Sequence, residues 1–169
     1  MNNKVFLFFA LIGLFSPFAN AKHIWVVSTV KPKALCIAYG HNESDCEHLT
    51  LPEAVCLVSG NNVSECRGFN LSEAVCAASA RPVRDCTNLT LAEAYCYASA
   101  VSVSECEHFS EQEGLCAASA TPVRYCSNLN LSEALCMTHG ITASECTNYS
   151  GSEAMCRIHG RNASDCSNF

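Results

Sequence analysis

Leu71–Thr90, LSEAVCAASARPVRDCTNLT, is the stretch from which the rest of the chain can be read. Twenty residues later comes LAEAYCYASAVSVSECEHFS, and twenty earlier LPEAVCLVSGNNVSECRGFN. The period runs from Lys31 to Phe169 and gives seven copies, the last one residue short. Each copy carries one cysteine at its sixth position and one at its sixteenth. The full set is Cys36, Cys46, Cys56, Cys66, Cys76, Cys86, Cys96, Cys106, Cys116, Cys126, Cys136, Cys146, Cys156 and Cys166. A fixed period of this length is the signature of a repeat architecture, in which each unit buries its apolar face against its neighbours.

The first half of each repeat reads as helix. Leu at position 1, Ala at 4 and an apolar residue at 5 follow helical spacing. Position 3 is Glu53, Glu73, Glu93, Glu113, Glu133 or Glu153 in six copies, and three residues earlier stands Thr50, Asn70, Thr90, Ser110, Asn130 or Ser150. That pairing is a capping box: the short side chain accepts from the third backbone N–H and the glutamate accepts in return. Gly40, Gly60, Gly140 and Gly160 at position 10 suit a left-handed helix stop, whereas Ala80, Ala100 and Ala120 make the stop less clear. The second half restarts with Asn42, Asn62, Ser102, Thr142 or Asn162 three before an acid, or with Pro82 or Pro122 at a first helical position, and reads as a second helix of about two turns. The fold class is therefore all-α: a right-handed-type α-solenoid of seven 20-residue helix hairpins. A β-solenoid would require β-branched alternation, which the L-S-E-A openings lack.

The cysteines read as disulfides. Zinc and iron–sulfur sites draw on tight C-x₂₋₄-C pairs, but here nine residues separate every successive pair. Pairing within repeats uses all 14, whereas pairing across repeats leaves Cys36 and Cys166 free; both schemes are sterically open. Each loop of about ten residues should contribute roughly 2.5–3 kcal/mol on the chain-entropy model. In outline the region Lys31–Phe169 resembles the Sel1-like cysteine-rich repeat proteins of bacteria, and that resemblance implies a secreted stack of helical hairpins with one disulfide per repeat. Those families use a longer repeat and another cysteine spacing, so no site residue carries across.

Ahead of the repeats, a basic start, the apolar run Val5–Phe15 and Ala19-Asn20-Ala21 read as a secretory signal peptide over residues 1–21. Residues 22–30, KHIWVVSTV, hold the single tryptophan and read as an N-terminal cap over the solenoid's exposed end. After removal of the signal the chain has 9 basic against 16 acidic residues, with no basic stripe, which argues against nucleic acid or anionic lipid. No later stretch is long enough to insert in a membrane.

Candidate sites are few. Seven N-x-[ST] triplets begin at Asn42, Asn62, Asn70, Asn88, Asn130, Asn148 and Asn162; five coincide with the cap positions, which account for the pattern without a sugar. His139 and His159 share position 9 and read as a surface pair. Arg84 and Arg124 share position 14, near Arg81 and Arg67, and read either as a row for an acidic partner or as charges that offset the glutamates. Tyr125 breaks the acid at position 15. No nucleophile elbow, metal-protease helix or phosphate loop occurs. The reading is a noncatalytic, extracytoplasmic interaction module without cofactor, offering variable positions 7, 11, 14 and 17 to an unknown protein or surface ligand; the alternative is a thiol-rich metal-binding or redox protein.

Overall fold

The structure, a computed structural model, describes residues 25–169. The signal-peptide reading of residues 1–21 and the first three residues of the 22–30 segment lie outside them. Seven α-helices follow one another at intervals of about 20 residues: α1 Pro32–Ala38, α2 Leu51–Ser59, α3 Leu71–Ala78, α4 Leu91–Ala98, α5 Glu111–Ala118, α6 Leu131–Thr138 and α7 Gly151–Ile158. No strand occurs among the described residues.

All six capping boxes form. In α3, for example, the Asn70 N–H donates to Glu73 at 2.8 Å and the Glu73 N–H donates to Asn70 Oδ1 at 2.9 Å. α1 has no box, because Lys31 precedes it and Pro32 opens it. There Lys33 takes the glutamate's place and pairs with Glu43 at 2.9 Å and Glu47 at 3.9 Å. Position 10 is left-handed in every repeat, including the three alanines, with φ of 55°, 62° and 58° at Ala80, Ala100 and Ala120. Those alanines accept a strain of about 1–2 kcal/mol that glycine would avoid.

The second arm is shorter than the sequence suggests. It is a single 3₁₀ turn of three or four residues, such as Val83–Asp85 or Ala163–Cys166, and not a two-turn helix. The reason is geometric. An eight-residue α-helix advances about 12 Å, and positions 11–20 must bring the chain back and leave position 20 extended as the next cap. A compact turn followed by an extended exit achieves this. The second set of caps is correspondingly thin. The Asn42 N–H donates to the Asp45 carboxylate at 3.2 Å, and Asn62 Oδ1 accepts from the Ser64 N–H at 3.1 Å. Ser102, Thr142 and Asn162 make no side-chain cap, and Pro82 and Pro122 sit one residue ahead of the turn.

Each helix packs on the next, and α7 packs on α1 as closely as α2 does. The solenoid thus closes into a ring. Across the closing seam the Tyr39 and His159 rings lie 4.1 Å apart between centroids, and Cys166 Sγ lies 3.8 Å from the Ala34 carbonyl. Helices form the inner wall. Their position-5 residues, Leu35, Val55, Val75, Tyr95, Leu115, Leu135 and Met155, are all fully buried in one core. Alanine at position 4 lets neighbouring helices approach closely. In repeat five even a methyl is too much: a Cβ on Gly114 would sit 2.5 Å from Ala92 Cα.

The described part of the 22–30 segment, residues 25–30, lies across the ring, touching repeats four, five and seven before entering repeat one. Val26, Val27 and Val30 belong to the same core as the position-5 residues.

Candidate interaction surface and the occupied mouth of the ring

The 14 cysteines sit between the helical wall and the outer turns. The bonded pairs are Cys36–Cys46, Cys56–Cys66, Cys76–Cys86, Cys96–Cys106, Cys116–Cys126, Cys136–Cys146 and Cys156–Cys166. All are at most 2% exposed. A bridge within a repeat ties the helix to its own outer turn. It therefore fixes each unit without depending on the neighbours.

Outside the bridges, positions 14, 15, 17 and 18 are exposed in every one of the seven repeats. They form a continuous outer rim on the 3₁₀ turns. Positions 7 and 11, expected to belong to the same surface, are half-buried in most repeats because they couple neighbours. Tyr97 at position 7 donates its hydroxyl to Asp85 of the preceding repeat at 2.7 Å, and that acceptor raises its pKa. Arg157 reaches Glu145 in the same register at 3.0 Å. Asn61 at position 11 donates to the Ala77 carbonyl at 3.2 Å.

The arginine row resolves into separate contacts. Arg81 stacks on Tyr97 with its guanidinium 5.3 Å from the ring centroid, and Arg84 pairs with Asp85 at 3.6 Å. Two repeats along the chain, Arg124 lies 4.9 Å over the ring of Tyr125. Tyr125 is 55% exposed, the one large hydrophobic side chain exposed among the described residues. It stands at position 15, where most repeats carry an acid, so the rim there loses a charge and gains an aromatic face.

The histidine pair does not come together as a unit. His139 Nδ1 lies 2.9 Å from the Leu135 carbonyl, whereas His159 stacks on Tyr39 across the seam. No group of three or more His, Cys, Asp or Glu among the described residues is arranged to hold a metal ion. Of the triplet asparagines, Asn70 and Asn130 cap helices, and Asn88 and Asn148 lie exposed in the turns ahead of caps. A cleft of about 300 Å³ opens at the closing seam, between Lys31, Lys33, Glu47, Leu49 and Phe169.

The most heavily built contact lies at the mouth formed by the helix N-termini. Tyr95, fully buried, donates its hydroxyl to the Val26 carbonyl. Burial first, and then the Glu111 carboxylate, push its pKa well above the usual phenol value. Trp25 stands edge-on to the same ring, 5.8 Å between centroids. The Ser28 N–H and hydroxyl each donate to the Glu111 carboxylate at 2.7 Å. The Lys31 N–H donates to Ser152 Oγ at 3.1 Å. Thr29 fits because residue 151 is glycine: a Cβ there would lie 2.2 Å from Thr29 Oγ1.

Sequence reading by repeat missed this group, but a signal was present. Glu111 and Gly151 stand where four other repeats have Leu at position 1. Tyr95 is the one aromatic residue at position 5. These departures mark where the wall accommodates residues 25–30. No family model, curated protein or solved structure matches this chain.

Proposed function

We propose that this protein is a noncatalytic interaction module that works outside the cytoplasm and meets its partner with the outer rim. One observation carries the reading: each chemically distinctive group that recurs with the repeat is already committed to the scaffold. The cysteines are buried in bridges. The six position-3 glutamates are held in capping boxes. What varies from repeat to repeat and faces water is the rim, with an arginine–tyrosine pair at Arg124–Tyr125. Tyrosine and arginine are, with tryptophan, the side chains enriched at the energetic centres of protein interfaces. Seven intramolecular disulfides fit an oxidising, extracytoplasmic environment, and no helix among the described residues is long and apolar enough to cross a membrane.

The test compares the wild type with Arg84→Glu, Arg124→Glu and Tyr125→Ser combined, and with a control that changes charge on the rim of repeats one and seven, Glu47→Lys and Ser167→Asp combined. Immobilised protein is presented with surface-exposed and secreted proteins of the source cell. The reading expects a partner retained by wild type and by the control but lost by the triple variant. Equal retention by all three overturns the role of this rim. The thiol-chemistry alternative is separated by intact mass before and after reduction and alkylation: alkylation without reduction, or a stoichiometric bound metal, would favour it.

A further inference from the structure

We infer that the mouth of the ring is a peptide-binding site, held in this structure by the chain's own residues 25–30. The ligand class is a short turn-forming segment with two apolar residues followed by a hydroxyl residue. This stands independently of the rim.

Three observations carry it. The wall recognises the segment mainly through its backbone and one small hydroxyl. Tyr95 takes the Val26 carbonyl, and Glu111 takes the Ser28 N–H and hydroxyl. Such contacts read a conformation more than a unique sequence. That conformation is a turn, closed by the Val30 N–H donating to the Val27 carbonyl at 3.0 Å. Second, Val26, Val27 and Val30 enter the ring's core, at 0%, 0% and 2% exposure, so apolar pockets supply the attraction and the polar contacts set the register. Third, the receiving residues Tyr95, Glu111 and Gly151 depart from the repeat at these places. A ring built by repeating one unit would present valine or leucine at position 5 and leucine at position 1. The chain has instead a socket, complementary to a piece of polypeptide that is not part of any repeat and is held there by no covalent cross-link.

The resident segment joins the ring directly at Lys31, so it competes at high effective concentration. An outside peptide should therefore bind the intact chain about 10²–10⁴-fold more weakly than a chain whose own segment is free to leave. The carboxylate of Glu111 excludes segments with an acid in place of Ser28, by like-charge repulsion.

The experiment uses the full chain with a specific protease site in a short Gly-Ser insert between Val30 and Lys31. It is folded and oxidised first and cut afterwards, so that the segment is seated when the ring forms. The probe is a fluorescein-labelled peptide of residues 25–30, WVVSTV, followed by anisotropy. The expected result is saturable one-to-one binding to the cut chain and at least 100-fold weaker binding to the uncut chain. Replacing the peptide's serine by aspartate, or Glu111→Ala in the ring, should weaken binding at least tenfold with the disulfide map and far-UV spectrum unchanged. A second variant, Ser28→Asp in the uncut chain, should unseat the segment and admit the peptide. No saturable binding to either chain overturns the inference. Binding indifferent to both the serine and Glu111 also overturns it. So does a cut segment that neither leaves nor exchanges, since it would then be an integral part of the core.

Discussion

Gly114→Ala restores the residue that the other six repeats carry at position 4, and it should destabilise the protein. Judged by repeat logic alone, the change is favourable. Position 114 lies inside α5, and alanine is preferred to glycine in a helix interior by about 1 kcal/mol. The packing opposes it. The added Cβ would lie 2.5 Å from Ala92 Cα, 2.5 Å from Ala92 Cβ and 2.9 Å from the Ala92 carbonyl oxygen. Two of those three atoms are backbone, so no rotamer change removes them, and α4 and α5 must part by about 1 Å to reach ordinary contact at about 3.5–4.0 Å. An open stack could bend to admit that shift. A closed ring must spread it over the other interfaces, α7 on α1 included. Overpacking costs typically about 1–3 kcal/mol, and the rigidity of closure places this site at the upper end. Less the helix-propensity gain, the net loss is about 2 kcal/mol. For a domain of this size that lowers Tm by roughly 4–8 °C. The assay is thermal unfolding of the oxidised protein by far-UV circular dichroism and calorimetry, with the disulfide map verified for each variant. Ala92→Gly in the same chain should recover only part of the loss, because it removes one of the three close atoms. A Tm equal to or above wild type for Gly114→Ala would refute the packing argument, and with it the claim that closure constrains the α4–α5 approach.

Three further outcomes can be measured on the same scaffold. Gly151→Leu, which matches repeats two, three, four and six, should displace Thr29 and red-shift the emission of Trp25, the protein's single tryptophan; an unchanged spectrum would count against the seated segment. Ala100→Gly should stabilise by about 0.5–1 kcal/mol, since relief of left-handed strain exceeds the added unfolded-state entropy, and a lower denaturant midpoint would contradict it. Glu53 is held below the usual carboxylate range first by the Thr50 N–H, and Glu113 first by the Ser110 N–H and then by the Ser127 hydroxyl. Folded values lowered in this way contribute stability that is present above the unfolded value of about 4.3 and lost as pH falls through the lowered ones. The denaturant midpoint should therefore drop as the pH falls below about 4.3, and the drop should shrink in Glu53→Gln, Glu113→Gln.

What the sequence makes legible follows from how far apart in the chain the deciding groups lie. The helix starts depend on residues three apart, as in Asn70 and Glu73, and each bridge on residues ten apart, as in Cys76 and Cys86. Such features can be read within one repeat, and repetition checks the reading six times for the caps and seven times for the bridges. The second arm is shorter than its sequence suggests because Asn42 and Asp45 or Ser102 and Glu105 carry a cap pattern that the returning chain has no length to use as a helix. Closure belongs to another scale. It depends on the small rotation between neighbouring units summed over seven of them, and no residue of a single repeat encodes that sum. The mouth is likewise built from contacts 69, 83 and 121 residues apart. Yet long-range structure leaves a local mark wherever it forces a repeat to deviate. Glu111, Gly151 and Tyr95 are unremarkable as residues and informative only as exceptions. Tyr125 is an exception too, but nothing in the fold requires it: its ring is exposed, its stacking partner is the adjacent Arg124, and the wall behind it is intact. A deviation that the scaffold explains points inward, to assembly, and one that it does not explain points outward. That difference is the physical reason for seeking the partner's contact at Arg124–Tyr125 and the peptide socket at Tyr95 and Glu111.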